Sequence, residues 1–220
     1  MKQISLFLLF SILIFSDINL ADEITLERKT GKKYQKVTIK DVIIVEETPN
    51  CVRYLIFNKD FKSPEPRLAN KTEGGDEQCA IIKKYSEQEN RKILEQWKKQ
   101  GSNAKITLFD GTTEIVNCIA IKYPLSSGVK DQAQLQWHKP ALLLRDGNEL
   151  KFTSLQSISF DARTAVASVS FKDGKTQNFQ FVIRRRIQNG DLPGVVTGIT
   201  EKFTYFRLSL DKISKIEFIK

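Results

Sequence analysis

Histidine occurs once, at His138, and methionine only as Met1. A single histidine excludes every site that needs two, including the helical zinc-protease motif. Cys51, Cys79 and Cys118 are the only cysteines and are too dispersed to complete a zinc set with it. Neither a Gly-x-Ser-x-Gly elbow nor a phosphate-cradling Gly-x-x-x-x-Gly-Lys-Ser/Thr loop is present. Glu46-Glu47 would point to opposite faces of a strand, so they do not form an acid–base pair. Asp76-Glu77 falls in a polar loop. Cys118 lies between Val116 and Ile119, so it reads as a buried free thiol rather than a nucleophile paired with His138. His138, in Trp137-His138-Lys139-Pro140, reads as a surface or partly packed residue before a strand. No catalytic group, metal set or cofactor motif emerges, and a non-enzyme is expected.

Long apolar runs are also scarce. The one example is Ile4 to Phe15, preceded by Lys2 and broken by Asp17 and Asn19, with Ala21 as a small residue for cleavage. This is the anatomy of a secretory signal peptide over 1–21. It is shorter than the roughly 20 residues of a membrane span, although Asn19 leaves an uncleaved anchor as the rival reading. The expected mature chain is secreted or periplasmic, with no transmembrane segment and no intracellular nucleic acid as partner. In an oxidising compartment two cysteines are expected to pair. Cys51 and Cys79, flanking a polar loop in one module, are the expected disulfide. Asn70-Lys71-Thr72 matches a glycosylation acceptor, relevant only to a eukaryotic secretory route.

What the chain has is a globular balance, 40% hydrophobic and 28% charged, with 14 phenylalanines. An aromatic, β-branched interior suits strands. The net charge is +9, with more of the excess after residue 104 than before it. A basic surface favours anionic partners such as lipid head groups or glycans.

Comparing the chain with itself reveals a repeat. Residues 149–160 (ELKFTSLQSISF) and 207–218 (RLSLDKISKIEF) align without a gap, matching Leu150/Leu208, Phe152/Leu210, Leu155/Ile213, Ile158/Ile216 and Phe160/Phe218. Upstream, Ile106–Gly111 matches Val169–Gly174, each a strand entering Asp-Gly. Asp-Gly between alternating apolar residues signals a tight hairpin, because Gly accepts positive φ. Asp110-Gly111, Asp146-Gly147 and Asp173-Gly174 fit, and Thr30-Gly31 does so more weakly. Two units are read, 104–160 and 165–220. Before them stand an N-terminal β module, 22–83, with a long polar loop over 58–78, and a connecting helix, 84–101. Ser86 and Glu89 form a capping box, Gly101 ends the helix, and Ile93, Leu94 and Trp97 face inward.

The strand–Asp-Gly–strand and Leu-x-x-Ile-x-Phe patterns resemble small SH3-like or Sm-like β-barrels. The fold class read is mainly β: tandem small β-barrel or curled-sheet modules with one connecting α-helix. The resemblance implies binding of peptides, glycans or nucleic acids, but a fold does not fix a function.

Two features are binding candidates. Arg184, Arg185 and Arg186 follow the aromatics of Phe179-Gln-Phe181, a combination that can grip an anionic chain. The plainer reading is a strand with arginines at its frayed end. Trp137, in the long loop of the first unit, can stack on a sugar or cover a barrel mouth. Three functions are weighed. First is an exported non-catalytic module binding an envelope or extracellular component. The others are a polyanion binder using the basic C-terminal half and a hydrolase with an unrecognised carboxylate site.

Overall fold

The computed structural model describes residues 21–30, 33–71, 77–123, 137–187 and 190–219, apart from the side chains of 28–30, 77–80, 185–187 and 190–191. The expected signal peptide, apart from Ala21, and Gly31 lie outside the described residues. The described residues are mainly β with one α-helix. The first body contains β1 (Asp22–Thr30), β2 (Lys33–Glu47), β3 (Cys51–Asn58), β4 (Ser63–Asn70) and β5 (Glu77–Lys83). These five curl into a ring in sequence order, closed by antiparallel pairing of β5 with β1 and a single parallel bridge, Asn70↔Gln78, to β4. Helix α1 (Glu87–Gln100) follows.

The second body contains β6 (Asn103–Leu108), β7 (Thr113–Tyr123), β8 (Trp137–Lys139), β9 (Ala141–Leu143), β10 (Glu149–Lys151), β11 (Leu155–Asp161), β12 (Val166–Phe171) and β13 (Thr176–Gln180). It continues with β14 (Arg184–Ile187), β15 (Gly190–Pro193), β16 (Val195–Thr200), β17 (Tyr205–Ser209) and β18 (Ile213–Ile219). The main sheet runs β13-β12-β11-β18-β6-β7-β16-β17, with β8 added on β7.

Part of the expected loop 58–78 is strand. Ser63–Asn70 pairs with β3 over eight positions despite Pro64 and Pro66. These prolines have the same parity. Both can therefore turn their ring nitrogens away from β3, toward a side where β4 has only one bridge. The expected Cys51–Cys79 disulfide is also corrected. Cys51 is a free thiol beside the Thr48 hydroxyl, 3.3 Å away. The Cys79 side chain is outside the described residues, but its backbone is on β5, with β4 lying between β5 and β3. Two strand spacings are about 10 Å, beyond the reach of an unstrained bridge.

The aligned residues do occupy equivalent places, but their grouping differs from the sequence expectation. Phe152 and Leu210 each begin a one-turn 3-10 helix, and each is 1% exposed. The Phe152 amide donates to Pro140 O at 3.0 Å and the Leu210 amide to Gly194 O at 2.8 Å. The strands that follow, β11 and β18, pair with each other through Ile158↔Ile216. Beyond them, β18 pairs with β6 and β11 with β12. The Phe109 amide reaches Lys212 O just as the Lys172 amide reaches Ser154 O.

One unit is therefore β6, β7, β16, β17 and β18. The other is β12, β13, β9, β10 and β11, with β13 and β9 linked by the Leu144↔Phe181 bridge and flanking backbone bonds. The second unit is written inside the first, and its chain enters at the second hairpin. The two copies are nested instead of consecutive.

All three Asp-Gly turns form, with Gly111, Gly147 and Gly174 at φ between 84° and 88°. A fourth turn, between β16 and β17, has the same backbone bonds with Phe203 at φ 59° in the glycine position. Thr200 Oγ1 accepts there from the Lys202 and Thr204 amides, as the aspartate does elsewhere.

The main core lies on the inner face of these units and includes Ile121, Phe152, Ile158, Phe181, Val196 and Ile216. A separate cluster joins the two bodies: Ile43 and Leu55 of the ring, Ile93, Leu94 and Trp97 of α1, and Cys118 and Ile199 of the sheet. Ala21, the expected cleavage residue, is buried in it. The capping box is formed, with Ser86 Oγ accepting from the Glu89 amide and Glu89 from the Ser86 amide. Gly101 lets α1 end directly on the sheet, because a Cβ there would lie 2.7 Å from Cys118 Cα. Among the described residues, no helix is long and apolar enough to cross a membrane.

Equivalence of the copies predicts equivalent sensitivity. Phe152→Ala should cost about 3–5 kcal/mol and Leu210→Ala about 2–5 kcal/mol in urea unfolding. A cost near zero for either would show that the two 3-10 turns do not close the same kind of core.

Candidate functional site

Strand register sets up the site. Partners across antiparallel strands share a face. His138, Lys122 and Val195 form one row across β8, β7 and β16, and Ala120, Thr197 and Arg207 form the next across β7, β16 and β17. Ile121, Val196 and Leu208 face the other way, into or against the main core. The outward face thus carries His138, Lys122, Thr197 and Arg207. Strand β4 brings Glu65, Pro66 and Arg67 against it.

The polar groups form a chain through this junction. Glu65 Oε1 lies 3.8 Å from His138 Nδ1, while Glu65 Oε2 pairs with Arg67 at 3.0 Å. His138 Nε2 lies 3.2 Å from Thr197 Oγ1, which also reaches Ala120 O at 3.3 Å. Tyr205 lines the same face beside Thr197. His138 is only 3% exposed, with the Phe61 ring 4.6 Å from its own. It is a buried strand residue, not the surface or loop residue that its sequence neighbours suggested. The contact with His138 holds the Glu65 carboxyl below its ordinary range, against the opposing effect of burial.

Beside this chain opens a groove of about 460 Å³, lined by Pro66, Lys122, Leu192, Val195, Tyr205 and Arg207, with Pro193 and Thr197. Burial pushes the Lys122 ammonium below the usual lysine range. Arg207 and Arg67 push it the same way, and Glu65 opposes them. Burial likewise raises the Tyr205 phenol. Among the described residues, neither Lys122 nor Arg207 has an acidic group within ion-pair distance. A partly dry cation without a counter-ion is a costly arrangement, and a bound anion relieves it. On the far side of His138 a second cavity, also about 460 Å³, lies between Phe61, the end of α1 and Pro140.

The sequence-predicted residues lie elsewhere or are already engaged. Arg184 is paired with Asp211 at 2.8 Å. The side chains of Arg185 and Arg186 are outside the described residues, and their backbone pairs with Leu192 and Asp191 on β15. Trp137 donates to Glu149 at 2.9 Å and meets the Tyr123 ring edge-on at 5.1 Å. Cys118 is buried and its thiol is pushed up to about 12, chiefly by that burial. Among the described residues, no cluster of three acidic, histidine or cysteine side chains could hold a metal. Lys122, Arg207 and Glu65 were missed because they are single charges on three distant segments. The available signal was Lys122, a charge at the end of the apolar run Ile115–Ile121.

No family model matches this chain, and no curated protein matches its sequence.

Glu65 has a lower pKa folded than unfolded. Its stabilisation is complete above the ordinary glutamate range and is lost as pH falls through the folded value. Glu65→Gln should therefore flatten the fall in Tm between neutral pH and about pH 3. Superimposable Tm–pH curves for the variant and wild type would show that the His138 contact is energetically silent.

Proposed function

We propose that this chain is an exported, non-catalytic binding module that holds an anionic ligand in the groove between β4 and the outward face of β7, β16 and β17. The observation that carries this reading is the pair Lys122 and Arg207: neighbouring cations in a concave site, one of them partly desolvated, with Arg67 nearby and one carboxylate, Glu65, among them. The groove is within the volume range of small-ligand sites. Export is supported by the charged and apolar character of residues 2–15 and the break at Asp17. A binding role fits a rigid sheet that fixes three cations better than hydrolysis does. Thr197 is 1% exposed, and its hydroxyl also contacts a backbone carbonyl.

A ligand that binds only the folded state raises Tm, by an amount that grows with the logarithm of its concentration above Kd. A thermal-shift panel of phosphate, sulfate, citrate, octyl phosphate and heparin, at fixed ionic strength, tests the reading. At least one anion should raise Tm, and Lys122→Ser/Arg207→Ser should abolish that rise. Arg184→Ser/Arg185→Ser/Arg186→Ser should keep it. The opposite pattern would move the site to β14, and no response to any anion would defeat the reading.

A further inference from the structure

We infer that the groove's ligand is a small amphipathic anion, one anionic head on an alkyl or acyl arm, and not an extended polyanion. This rests on the anion-binding reading above and narrows it. The cations are gathered around one place. Lys122 and Arg207 occupy adjacent rows of the same face, and both act electrostatically on their neighbours there, with Arg67 contributing from β4. Three positive charges less that of Glu65 leave two, which one phosphate monoester head nearly balances. A polyanion is gripped by cations strung along a track, and its next charge would have to pass Glu65.

The remaining walls are of another character. Pro66, Leu192, Pro193 and Val195 offer no side-chain hydrogen-bond group, and the Tyr205 ring adds an aromatic face. Leu192 is 44% exposed at the groove rim, an apolar side chain left facing solvent beside charges. An apolar arm laid on Leu192 and Val195 removes that surface from water while its head meets Lys122 and Arg207. The same chemistry occurs in a free amphiphile and in a membrane lipid.

The test is a chain-length series of n-alkyl phosphates, below their micelle concentrations, titrated calorimetrically into the full chain. Each added methylene should tighten binding roughly fourfold until the groove is filled. Leu192→Asn should reduce this increment by a larger factor than it changes inorganic phosphate binding. Lys122→Ser/Arg207→Ser should weaken every member of the series. Far-ultraviolet circular dichroism checks that each variant remains folded.

Co-sedimentation with phosphatidylcholine vesicles containing phosphatidylglycerol separates the sources. Vesicle binding lost in both variants assigns the arm to a lipid, whereas alkyl phosphate binding without co-sedimentation assigns it to a free amphiphile. Heparin binding that depends on Lys122 and Arg207, with no chain-length effect, would overturn this inference and leave the anion reading standing. No binding by any of these ligands would overturn both.

Discussion

Over Val116 to Ile121 of β7 and Val196 to Thr200 of β16 water is excluded from both faces, because these residues are buried without a break. Their inner face belongs to the core of the nested units. The outer face needs a second cover, supplied by α1 and the first ring, whose Ile43, Leu55 and Trp97 pack with Cys118 and Ile199 of the sheet. Each large apolar side chain buried there contributes about 1.5–3 kcal/mol. Docking of the two bodies is therefore part of folding.

The cover is not apolar throughout. Where β4 crosses the sheet, the register leaves His138, Lys122, Thr197 and Arg207 pointing into the junction. Buried polar groups require partners. His138 has Glu65 and Thr197, and Thr197 has His138 and Ala120. Lys122 and Arg207 are left facing the groove without an acidic partner among the described residues, and the proposed anion site rests on that incomplete pairing.

The sequence made the fold class and much of the local chemistry legible. The helix, its capping box, the Asp-Gly turns and the Phe152/Leu210 correspondence all rest on short-range rules of backbone geometry and alternation. The nesting was not legible, because no short-range rule says that β6 pairs with β18 and β12 with β11. The fourth turn was hidden by Phe203 in the place of glycine, tolerated where Thr200 supplies the side-chain acceptor. Composition also misled over Ser63–Asn70, where proline-rich sequence forms an edge-like strand. The groove residues Glu65, Lys122 and Arg207 are far apart in the chain and meet only when the bodies dock. The compact arginine run was visible, while the dispersed site was not.

The account depends on β4 lying against the outward face of β7 and β16 and creating an anion site there. A crystal of the full chain soaked in sodium bromide, with anomalous diffraction measured at the bromine edge, examines both at once. A strong bromide peak between Lys122 and Arg207, with Glu65 beside His138, is the predicted result. A groove without bromide while ions occupy other surfaces, or a first ring displaced from β16, would contradict it.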